Sequence, residues 1–174
     1  MPPGEHGVHR LPQGGVRVTI GTFEHRALRS LPDQLRAVVD GEIADSRLRD
    51  RLFPVASQEP EIDAEYRQLI GSSLVDDRID LIDRFTKGLD GGAEHEQVWT
   101  NELDADDTHA WIVIINDLRQ ILSGVVGITS ETEWERGPAA DDPASLLLWG
   151  LGWLQEQLIA AIEVPPAPGG ALQD

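Results

Sequence analysis

The sequence predicts a mainly α-helical single domain with a small two-stranded antiparallel ribbon. Three observations predict it. Apolar residues recur at helical spacing along most of the chain. Strand-like alternation is confined to two short runs, about 16–20 and 97–103. The chain has 174 residues, enough for one domain that buries about 68–70% of its unfolded surface.

Residues 1–14 are rich in Pro, Gly and His, and residues 163–174 in Pro and Gly; both are expected as disordered tails around a domain at 15–162. Val16, Val18 and Ile20 alternate with Arg17 and Thr19 as a half-buried strand does. Gly21-Thr22 opens a helix with Thr22 as N-cap, and Leu28, Leu31, Leu35, Val38 and Val39 form its apolar stripe. Pro32 predicts a kink or restart near Ser30. Residues 43–52 suit a short basic helix. The stretch from Glu59 to Leu89 reads as two helices broken at Gly71-Ser72-Ser73, with Ser73 and Asp76 as a capping box and Asp90-Gly91-Gly92 as the stop. The run at 97–103 supplies the second strand. Asp104 caps a helix to about Val126, an acidic loop covers 128–142, and Pro143 opens the last helix, ending near Ile162.

Charge narrows the function. The net charge is −17, yet residues 1–51 hold 8 basic and 7 acidic side chains, against 6 and 24 in residues 52–174. The overall field opposes DNA, and any polyanion contact must use the N-terminal third. Arg26, Arg29 and Arg36 share the face opposite the first helix's apolar stripe, and Arg47, Arg49 and Arg51 follow. Two readings stand: a solvated amphipathic face offset by Glu24 and Asp33, or a surface for a polyanion or acidic partner. A helix-turn-helix at 62–89 is opposed by Asp76, Asp77, Asp80 and Asp83, which would meet phosphate with like charge.

With no Cys, the chain has no disulfide, thiolate metal site or thiol nucleophile. His6-x-x-His9 has no further ligand close by, and no zinc, phosphate-loop or nucleophile-elbow pattern occurs. No catalytic residue, metal ligand or cofactor is expected, and the protein is read as no enzyme. The start Met1-Pro2-Pro3-Gly4 lacks a leader's pattern, and the most apolar stretch, Ala144 to Leu154, is too short to span a bilayer. A cytoplasmic protein is the expectation.

Two helices carry the remaining candidates. At about 100° per residue, Trp111, Ile114, Leu118, Ile121 and Val125 share one face of the 104–126 helix. Asp117 and Arg119 sit on its two shoulders, roughly 160° apart, so each needs its own partner. Boundary residues tying neighbouring helices are one reading and ligand contacts the other. On the last helix, Ala144, Leu147, Leu151, Leu154, Leu158 and Ile162 form one apolar face, and Leu146, Trp149 and Trp153 a second. Either this helix is central in the fold or its second ridge is a protein interface, most simply of a homodimer.

Three segments together carry a likeness: Gly15 to Glu24 leading into Leu28–Leu31, then Leu103 to Trp111 with Asn116–Arg119, then Trp149 to Glu156. In this order they resemble an actinobacterial family long described as a domain of unknown function and now as oxidative-stress transcriptional regulators (AosR-like). The resemblance spans about residues 15–162 and implies a cytoplasmic regulator of transcription without catalytic residues. A thiol-based oxidant sensor needs Cys, which this chain lacks. An acidic regulator would instead dock on a basic protein surface, such as a sigma factor or RNA polymerase. A protein-interaction module without DNA binding is the alternative.

Overall fold

The computed structural model describes residues 6–53, 58–127, 130–137 and 141–163. Their order is β1 (Gly7–Arg10), β2 (Val16–Gly21), α1 (Thr22–Arg29), α2 (Pro32–Val39), α3 (Ser46–Leu52), α4 (Pro60–Asp90), β3 (Ala93–His95), β4 (Val98–Leu103), α5 (Ala105–Val126), α6 (Glu131–Glu135) and α7 (Pro143–Glu163). The architecture is mainly helical, with a four-stranded antiparallel sheet in the order β1-β2-β4-β3.

The expected pairing of the two alternating runs forms the centre of that sheet. Val16, Val18 and Ile20 of β2 are buried, and Ile20 lies opposite Trp99 of β4. The ribbon gains a strand on each side through hairpins that composition concealed. Gly7–Arg10 pairs with β2, with Val8 opposite Val18, and Val8 and Leu11 are buried. Residues 6–14 are therefore built into the sheet edge rather than forming a tail; residues 1–5 and 164–174 lie outside the described residues. Gly14 and Gly15, both at positive φ, close this hairpin. The β3–β4 hairpin turns on Glu96 and Gln97, also at positive φ (49° and 67°). That conformation suits Asn-Gly far better, and the Gln97 carbonyl accepts from the Thr22 N–H at 2.9 Å. The cap of α1 accordingly passes to Gly21, and the Thr22 hydroxyl, expected as the cap, has no hydrogen-bond partner among the described residues.

Pro32 restarts the chain as foreseen, dividing α1 from α2. The break expected at Gly71-Ser72-Ser73 does not occur, and α4 runs through it for 31 residues. Packing explains this. Ile82, Phe85 and Leu89 anchor the C-terminal half of α4 in the core, and one interior Gly costs only about 1 kcal/mol. Three carbonyls at the end of α4 accept from side chains. Asn101 Nδ2 donates to Gly88 O at 2.8 Å, His25 Nε2 to Leu89 O at 2.7 Å, and Trp99 Nε1 to Gly91 O at 3.0 Å. The orphan groups of a helix end are thereby paired where it meets the sheet.

The central helix is α5. It packs against α3, α4, α7 and β4. Its residues Trp111, Ile114, Ile115 and Leu118 are buried, whereas Val125, expected on the apolar face, is exposed. Asp104 caps it by accepting from Asp107 N at 2.8 Å. Helix α7 lies against α5 on one side and β1 and β2 on the other. Its buried face runs through Leu148, Leu151, Leu154 and Leu158, while Ile162 is exposed and Leu147 half-buried. The acidic segment at 128–142 holds α6. No helix among the described residues is long and apolar enough to cross a membrane.

Candidate interaction surface

Most of the six arginines lie against partners within the protein. The α1–α2 pair lies across the C-terminal half of α4, which brings its arginines onto carboxylates. Arg29 donates to Asp90 at 2.9 Å, Arg36 pairs with Asp83, and Arg26 approaches Glu94 at 4.0 Å. Arg47 lies 3.8 Å from Asp45, and Arg51 donates to the Gln120 carbonyl at 3.2 Å. Arg49 is exposed on α3. Exposed pairs of this kind add little stability, from nothing to about 1 kcal/mol each. Their consequence is for the field: the positive charge of Arg29 and Arg36 is met locally by α4, the helix whose acids oppose a helix-turn-helix, and that of Arg26 by Glu94 of β3.

Asp117 and Arg119 each find a partner on a different neighbouring helix. Asp117 is buried and paired with Arg78 of α4. Burial pushes its carboxyl above the ordinary range, and the hydrogen bond and charge of Arg78 act against that rise. The Arg78 guanidinium also lies over the Phe53 ring, 5.5 Å from its centroid. Arg119 donates to Gln155 of α7 and lies over the Trp134 ring at 4.9 Å. The two residues thus tie α5 to α4 and to α7. Arg51, Arg78, Asn116, Asp117 and Gln120 border a cleft of about 610 Å3. Its three charged groups are engaged within the protein, Arg78 with Asp117 and Arg51 with a carbonyl.

The second ridge of α7 faces outward. Leu146 is 48% and Trp153 41% exposed. Gly150 lies between them, and among the described residues a Cβ there would meet nothing within 4 Å. Among the described residues, this face of α7 is therefore left uncovered. Trp149 is half-buried because Trp134 of α6 stacks on it, with centroids 4.4 Å apart and planes at 15°. Trp134 rests on Gly152, where a Cβ would come within 3.2 Å of its ring. Sequence reasoning missed Trp134. The available signal was Ser130-x-x-Glu133, a capping pattern just before it: Ser130 Oγ accepts from Glu133 N at 3.3 Å.

Exposed carboxylates lie on the elements next to this ridge. Glu131 and Glu135 are exposed on α6, Asp141 precedes α7, and Glu156 lies one turn beyond Trp153. From Pro143 to Gln155 there is no charged residue. The result is an apolar strip with acidic borders. A family model described as a domain of unknown function, DUF2017, matches residues 6–162. No curated protein matches the chain, and no solved structure does.

Proposed function

The chain belongs to the DUF2017 family, a family of unknown function, and from that premise we propose that it is a non-enzymatic regulator of transcription that works through a protein contact. The observation that carries this reading is the outward ridge of Leu146 and Trp153, an apolar surface set on a rigid helix. The resemblance to actinobacterial oxidative-stress regulators supports the regulatory role and the cytoplasmic setting; the acidic body and the α7 ridge support the choice of partner, a sigma factor or RNA polymerase. The pairing of Arg26, Arg29 and Arg36 with Glu94, Asp90 and Asp83 weighs against direct reading of promoter DNA. An adaptor that never meets the transcription machinery would use the same ridge.

Fluorescence anisotropy with DNA from upstream of the protein's own gene cluster tests this. Salt is varied from about 50 to 200 mM, where phosphate contacts lose most of their affinity. No sequence-specific binding is expected at any salt. Specific binding that weakens steeply with salt and disappears in Arg26→Ala/Arg29→Ala would make the protein a direct DNA reader and end the proposal.

A further inference from the structure

We propose that the occupant of the α7 ridge is a cationic amphipathic helix of the partner protein; this rests on the protein-contact reading above and names the class of partner. Shape and charge carry it together. Leu146, Trp149, Trp153 and Ala160 fall within about 60° of one another around α7, and the strip from 146 to 160 is roughly 20 Å long. One apolar face of a helix of about four turns covers that length. Gly150 leaves a notch between Leu146 and Trp153 that is open to a partner side chain.

The borders then select the charge. Residues 130–163 contain seven carboxylates and a single cation, Arg136. Glu131 and Glu135 lie on α6, which meets the strip through the Trp134–Trp149 stack, Glu156 stands beside the strip between Trp153 and Ala160, and Asp141 precedes α7. A helix with Leu or Ile on one face and Lys or Arg on its shoulders would meet apolar surface in the middle and opposite charge at the rim. A second copy of this chain would bring acid against acid in a molecule of net charge −17, so like charge disfavours a homodimer here.

The test uses the full chain and a designed helix of about 18 residues with Leu on one face and Lys on the other. Two controls accompany it: a Glu-for-Lys counterpart, and a scrambled peptide of identical composition with no apolar face. Binding is read by calorimetry, and the mass of the free protein by light scattering. The Lys peptide is expected to bind with an affinity that falls between about 50 and 200 mM salt. Both controls are expected to bind at least about tenfold more weakly. Leu146→Ala/Trp153→Ala, at exposed positions that leave the core intact, is expected to weaken the Lys peptide roughly tenfold or more. Glu135→Lys/Glu156→Lys should do so through the rim without touching the strip. Equal binding of the scrambled peptide would reduce the effect to bulk charge and overturn the proposal. No binding of the Lys peptide would also overturn it. A dimer that the Leu146→Ala/Trp153→Ala variant dissolves would assign the ridge to a second copy, leaving protein contact as the mode of action. Failure of the parent reading is separate: it would show as specific DNA binding.

Discussion

Replacing Arg78 by Ala is expected to destabilise the protein by about 3–5 kcal/mol, the usual cost of stranding one member of a buried ion pair. The stranded group is Asp117, whose side chain is only 6% exposed. The loss should depend on pH, with a definite sign. Burial raises the Asp117 pKa, and Arg78 supplies both influences that lower it. Without Arg78 the native carboxyl holds its proton to higher pH, while the unfolded one still titrates near its ordinary value of 3.8. The native state then binds more protons than the unfolded state across that window, so stability falls as pH rises through it. Urea unfolding of variant and parent should therefore show a larger deficit near pH 7 than near pH 4. An equal deficit at both, or a larger one in acid, would contradict this account of the pair. The double replacement Arg78→Met/Asp117→Leu should recover most of the loss, because no unpaired charge remains.

Two glycines of α4 should respond to the same substitution with opposite signs. Among the described residues Gly71 has nothing within 4 Å of a built Cβ, so Gly71→Ala is expected to stabilise by about 0.5–1 kcal/mol through helix propensity alone. At Gly88 a Cβ would lie 2.6 Å from Trp111 Nε1 and 3.2 Å from a Leu103 methyl. Trp111 cannot retreat. It is fully buried between Phe85, 4.9 Å away edge-on, and Trp99, stacked at 6.3 Å. Gly88→Ala is expected to cost about 1–3 kcal/mol despite the better helix former. Thermal unfolding of the two variants measures both signs. A stabilised Gly88→Ala would show that Trp111 is not pressed against α4.

What the sequence disclosed follows from how local each signal is. The strands β2 and β4, the Asp104 cap, the Pro32 restart and the Pro143 start are each specified within a few residues, and each was legible. The continuity of α4 was not, because Gly71-Ser72-Ser73 is a local break signal that distant packing of Ile82, Phe85 and Leu89 overrides. β1 lay in a stretch whose Pro and Gly mask a buried Val8 and Leu11. β3 was hidden because its turn uses Glu96-Gln97 where Asn-Gly would have announced a hairpin. At the candidate surface, Leu146, Trp149 and Trp153 were visible as a second ridge from periodicity alone. Their cover was not, since Trp134 reaches Trp149 from a separate short helix. The arginines were legible as a face, but their carboxylate partners depended on α1 and α2 crossing α4.

That last point separates the two modes of regulation, and in vitro transcription separates them most directly. Run-off synthesis by the host RNA polymerase from the promoter upstream of the gene cluster would be measured with the parent protein, Leu146→Ala/Trp153→Ala and Arg26→Ala/Arg29→Ala. Action through the α7 ridge predicts that the effect on transcript yield is lost in the ridge variant and retained in the arginine variant. Loss in the arginine variant with retention in the ridge variant would contradict it.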